Sequence, residues 1–145
     1  VNPVRRTNLI TTTSLPIFLA SLTKEQKEVF ICLAHNVVVS DGDLSVGEEV
    51  MMEEMRREMN LEPDYAPHYV NIEGIEYIFP SRRSRAITMI SLIRLAYADG
   101  AFEIEEQCFL KDLCVPFEIM DNDFQLIDNW VRRLISLERE ANAFL

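Results

Sequence analysis

Two stretches of the chain carry the same acidic pattern. Shifted by 58 residues, the difference between Asp41 and Asp99, VVVSDGDLSVGEE lies over LAYADGAFEIEEQ. Asp41 meets Asp99, Gly42 meets Gly100, and Glu48 meets Glu106. Carboxylates are the donors that hard cations such as Ca²⁺, Mg²⁺ and Mn²⁺ take, because their charge offsets the loss of the ion's hydration. If the two copies meet, repulsion among four carboxylates would itself favour a cation. Asp43, Glu49, Glu103 and Glu105 stand close enough in sequence to add ligands, although Ala101 replaces Asp43 in the second copy. The same residues also have a purely structural use. Asp-Gly makes a turn, and a Glu in the first turn of a helix closes a capping box and suits the helix dipole. Both uses stay open in the sequence. An EF-hand does not: counted from Asp41, the sixth position is Val46 rather than Gly, and the twelfth is Met52 rather than Glu.

Other reactive residues are scattered. Cys32 and His35 are three apart, a spacing that lets them share a helix face, but no second Cys/His pair lies nearby and His68 is remote in sequence. Three cysteines without a CxxC pair make a poor disulfide framework, so Cys32, Cys108 and Cys114 read as small core residues in a reducing, cytoplasmic setting. No Gly-rich phosphate loop, G-x-S-x-G or H-E-x-x-H is present, so no catalytic residue is assigned. Arg82, Arg83 and Arg85 form the one basic cluster, with Glu73 or Glu76 as the expected partners.

Helices must position these groups. Thr23 to Gln26 is a capping box, and the helix it opens runs to about Ser40 through VFICLAHNVVV, apolar almost all round. Ser45 to Glu48 is a second capping box, opening a helix to about Met59 with a stripe of Met51, Met52, Met55 and Met59. A second all-apolar helix runs from Arg82 to about Ala98. Another starts near Glu103 and is ended by Pro116, and a last one runs from Asp121 toward Asn142. Residues 14–22, with Ser14 as N-cap, suggest a further short helix. In residues 60–81, Ile72, Ile75, Ile78 and Phe79 favour a seventh, although VNIEGIEYIF also fits a strand. The expectation is therefore a single all-α domain, a helical bundle of six or seven helices.

Composition bounds the rest. The chain has 145 residues, 48% of them apolar, enough to bury a core without staples. Its 24 acidic and 14 basic residues leave a net charge of -10, which argues against direct nucleic-acid binding. Four Gly and six Pro leave little room for the turns of a many-stranded sandwich or barrel. The apolar stretches are too short for a membrane span, and the longest holds Arg94.

The repeat extends beyond the acids. Val37 pairs with Leu95, Leu44 with Phe102, Val46 with Ile104, Met51 with Phe109 and Met55 with Leu113. Each copy is a buried helix, a D-G turn and a second helix, so the expectation is two helical hairpins related by a pseudo-two-fold axis. A buried helix ending at D-G, with Glu seven residues after the Asp, resembles the TerB-like (tellurite-resistance) family. The matching stretches are RLAYADGAFEIEEQCFLKDL and LAHNVVVSDGDLSVGEEVMMEEM, and the resemblance covers residues 23–140. It implies an all-helical domain, taken as residues 14–145; residues 1–13, which show no sustained period, read as a loose lead-in. It further implies a non-enzymatic binding or scaffold role in a tellurite- or stress-response system, with a protein partner. The metal site it implies is Asp41, Glu48, Asp99 and Glu106, holding a divalent cation. Ser40 departs from the Ala common in the family, and a long Tyr-rich segment separates the two repeats. The alternative is a ligand-free protein-interaction module of a phage or a multidomain assembly.

Overall fold

A computed structural model describes residues 18–40, 42, 44–62, 65–100 and 102–145. Helix α1 is Lys24–Val39, and Thr23 opens it: Gln26 N–H donates to Thr23 Oγ1 (3.1 Å) and Thr23 N–H to Gln26 Oε1 (3.0 Å). Helix α2, Val46–Met59, ends at Asn60, whose φ of 54° is a left-handed conformation that Asn tolerates. Helix α3 is Arg82–Ala96, opened by Ser81, whose Oγ accepts from Ser84 N–H at 3.0 Å. Helices α4, Ile104–Phe117, and α5, Asp121–Asn142, complete the set.

The described residues thus hold five helices and two 3-10 turns, Leu19–Ser21 and Ile75–Tyr77, with no strand, where the sequence predicts six or seven helices. The difference lies in two places. Residues 1–17, including the expected cap Ser14, fall outside the described residues, and the stretch from Phe18 to Leu22 makes only the short turn at Leu19. Between α2 and α3, Pro67 and Pro80 lack donors for a helix ladder, and Gly74 sits at φ 82°, so the apolar positions of residues 72–79 close only one short turn. Side chains of α1 hold this segment instead. Asn36 Nδ2 donates to Val70 O (3.1 Å) and Gln26 Nε2 to Ile78 O (2.9 Å). Pro116 does not end α4 but sits in its last turn, and the helix stops at Glu118 with φ 57°.

Helices α1 and α3 are buried around most of their circumference and pack on each other at the centre. Phe30, Ile31, Leu33 and Val37 of α1 and Met89, Leu92, Ile93 and Leu95 of α3 are fully buried. Around this pair, α2 contacts both α1 and α3, α4 contacts both α1 and α3, and α5 lies along α3. None of these helices is long and apolar enough to cross a membrane.

Helix α5 is fastened by charge as well as by Phe124 and Val131. Arg94, 3% exposed near the end of α3, is ion-paired with Glu138. Removing one partner of such a pair strands a buried charge, whereas replacing both with apolar residues of similar size does not. We therefore expect Glu138→Ala to lower the unfolding free energy by about 3–5 kcal/mol, and Arg94→Met/Glu138→Leu to recover most of it in urea titrations.

Candidate functional site

The two conspicuous glutamates are both buried at helix starts. Glu48, 0% exposed, accepts from Ser45 N–H through Oε1 (2.9 Å), while its own N–H donates to Ser45 Oγ (3.1 Å). Glu106, 1% exposed, accepts from Glu103 N–H through Oε1 (3.0 Å). Each carboxylate therefore spends one oxygen on a cap. A capping Glu normally keeps its other oxygen in water, because a carboxylate costs several kcal/mol to bury. Here the second oxygen of Glu48, Oε2, is buried and accepts no hydrogen bond from the described residues.

The turn of one copy packs on the helix start of the other. A Cβ added to Gly47, beside Glu48, would lie 2.5 Å from Ala98 O and 3.5 Å from Asp99 Cα. Only the missing side chain lets α2 begin this close to the end of α3. Asp99 is thereby brought beside the turn of helix that carries Glu48, although it is 51 residues away, the difference of their numbers. Gly42 and Gly100 take φ 90° and 98°, a conformation that L side chains rarely adopt, which fixes the reversal in each copy.

Helix α5 holds the second turn in place. Tyr97 caps the end of α3 and donates its hydroxyl to Asp128 Oδ1 (2.7 Å). Arg132 donates from Nε to the same hydroxyl oxygen (2.9 Å) and is paired with Asp128 Oδ2 (3.1 Å). Burial raises the Tyr97 pKa, and its bond to Asp128 adds to the shift, so the phenol stays a donor. The Tyr97 ring also meets Phe102 edge-on, at 5.0 Å between centroids, which ties the residues before the D-G turn to those after it.

Asp41, Asp43 and Ala101 lie outside the described residues. Glu106 occupies at α4 the place that Glu48 has at α2, whereas Glu49, Glu103 and Glu105 are exposed. Among the described residues, no three His, Cys, Asp or Glu side chains already stand together as a metal site.

The basic cluster finds other partners than those expected. Arg85 donates from Nε to Phe79 O (2.7 Å), is 3.5 Å from the Glu118 carboxylate, and reaches the main-chain carbonyl of Glu76 (3.4 Å) rather than its carboxylate. Arg83 lies over the Phe18 ring at 5.5 Å.

A second polar cluster has no signal in sequence spacing. Cys32 Sγ, on α1, is 3.7 Å from His68 Nδ1 and 3.8 Å from Tyr65 Oη, both from the segment between α2 and α3. Their separations of 33 and 36 residues match no ligand motif, and helical spacing pairs Cys32 with His35 instead. The other cysteines differ from it. Cys108, expected in the core, is instead exposed on α4, whereas burial pushes the Cys114 thiol up to about 11, with Asp121 adding to the shift.

No family model, curated protein or solved structure matches the chain. Its own residues carry the functional reading.

Gly47 tests the junction. Ala gains up to about 1 kcal/mol over Gly in a helix interior, but a Cβ at 2.5 Å from a main-chain oxygen must displace α2 or α3. Overpacking of this kind costs about 1–3 kcal/mol. We expect Gly47→Ala to destabilise the protein in thermal unfolding; an unchanged or raised Tm would contradict the close approach.

Proposed function

We propose that the chain is a non-enzymatic, TerB-like binding or scaffold protein whose paired D-G turns hold a divalent cation. The observation that carries this reading is Glu48, a fully buried carboxylate with an oxygen that accepts no hydrogen bond from the described residues, at a helix start packed on the Asp99 turn. A cation there would offset the buried charge and supply the partner that Oε2 lacks. Glu48, Asp99, Glu106 and Asp41 would be its ligands, with water completing the oxygen shell of Ca²⁺, Mg²⁺ or Mn²⁺. Bound there, the ion would act as a clamp between the two copies of the motif.

The packing supports the two-hairpin arrangement. The contact of α1 with α2 is matched by that of α3 with α4, and the crossed contacts α1–α4 and α3–α2 are also matched. Exchanging the two hairpins leaves this pattern unchanged, as an approximate two-fold axis through the α1–α3 pair requires. Together with the repeated motif, it supports the TerB-like reading and the stress-response role that reading brings.

The ligand-free alternative, an interaction module of a phage or a multidomain assembly, draws on a different observation. Leu126, Trp130 and Leu137 form one exposed stripe along α5 at helical spacing, with Trp130 40% exposed.

Calorimetric titration of the metal-stripped protein separates the two readings. One equivalent of Ca²⁺, Mg²⁺ or Mn²⁺ should bind and raise the Tm, and Glu48→Gln/Asp99→Asn should weaken binding at least about tenfold, the size expected for loss of a metal-supporting residue. No heat and no thermal shift with any of the three ions would end the metal reading and leave the interaction module.

A further inference from the structure

Away from the D-G turns, the Cys32 cluster has geometry that neither the repeat nor the resemblance accounts for. A tetrahedral ion with a metal–sulfur distance near 2.3 Å and a metal–nitrogen distance near 2.05 Å separates those two ligand atoms by about 3.6 Å. Cys32 Sγ and His68 Nδ1 stand 3.7 Å apart. One helical turn before Cys32, on the same face of α1, lies the half-buried Glu28. Glu28 and Tyr65 border a neighbouring cavity of about 340 Å³, which Lys24, Lys27 and Glu62 also line and which Cys32 and His68 do not.

We propose that Cys32, His68 and Glu28 form a site for one borderline-soft divalent ion of the Zn²⁺ class, with water as the fourth ligand. This site is separate from the acidic turns and does not depend on them. Sulfur, imidazole and a single carboxylate suit such an ion, whereas the all-oxygen set at the turns suits a hard one. Binding exchanges a proton for the metal: the Cys32 thiol becomes a thiolate on the ion, its proton leaves to solvent, and His68 coordinates as neutral imidazole through Nδ1. No electron is transferred.

The surroundings fit this exchange. Tyr65 Oη lies 3.8 Å from Sγ, placed to donate to the thiolate and so orient the sulfur. Arg56, whose charge reaches Tyr65, weighs against a bare cation. Cys32 itself is 1% exposed and closed to a bulky substrate, but His68 is exposed, so a swing of its ring admits an ion. Glu28 then closes the site by a change of rotamer, since three ligand side chains do not yet converge there.

Co²⁺, which takes Zn²⁺ sites and reports thiolate ligation by its near-ultraviolet charge-transfer band, is the probe. Full-length reduced protein carrying Cys108→Ser, to remove the exposed thiol, is titrated anaerobically. One equivalent should produce the band, and Zn²⁺ should bleach it. Cys32→Ser should abolish the band, His68→Ala should weaken Co²⁺ binding at least about tenfold, and Glu28→Gln should weaken binding while keeping the band. Glu48→Gln should leave the band unchanged, which separates this site from the turns. His68 is exposed, so its variant should retain the parent's circular dichroism and Tm even if Cys32→Ser disturbs the core. A parent without the band, a band that survives Cys32→Ser, or Co²⁺ binding unaffected by His68→Ala would overturn the proposal.

Discussion

The fold depends on two helices that water cannot be allowed to reach. Through residues 30–38 and 87–96, helices α1 and α3 are buried on nearly every side, and each alone would leave an apolar surface there. Packing them together covers one face of each, and the remaining faces must be covered by their neighbours along the chain. That requirement folds α2 and α4 back at the D-G turns and sets α5 along α3. At about 1.5–3 kcal/mol for each large apolar side chain buried, this contact outweighs any single cap, hydrogen bond or ion pair in the molecule.

Covering both central helices has a consequence at their ends. The second turn comes to lie against the start of α2, close enough that Gly47 has no room for a side chain. A glutamate that could have capped its helix from solvent is buried at this seam. The cap uses one oxygen and leaves the other to be satisfied from elsewhere. The cap and the proposed ligand role of Glu48 are therefore compatible: the cap holds the side chain in place, and the oxygen it leaves over is the one a cation would take. Tyr97, Asp128 and Arg132 add stiffness, since they tie the end of α3 to α5 just before the Asp99 turn.

Much of this is legible in the sequence. The capping boxes at Thr23 and Ser45 are plain from residue spacing, because a cap involves neighbours only three apart. The all-apolar runs mark the two central helices for the same local reason. Residues 60–81 are not legible as a helix or strand, since their path is set by Gln26 and Asn36, which hold main-chain carbonyls far along the chain. The extra helix expected there is one short turn. The repeat matches Asp99 with Asp41 and Glu48 with Glu106, but the approach of Asp99 to Glu48 rests on Gly47, which occupies the place where the second copy has Glu105 (47 plus 58). That asymmetry is visible in the sequence and carries no meaning until the two segments meet. Cys32 and His68 give no sign at all, because their proximity depends on a segment without periodicity crossing a helix.

The proposed function requires the two copies of the acidic motif to meet in one site. It is tested most directly by paramagnetic broadening of amide signals, in which substoichiometric Mn²⁺ erases resonances steeply with proximity. A shared site predicts early, joint loss of the Gly47, Glu48, Asp99, Gly100 and Glu106 signals, while the exposed acids Asp121 and Asp123 at the start of α5 persist. Broadening spread evenly over the acidic surface, or confined to one copy of the motif, would contradict it.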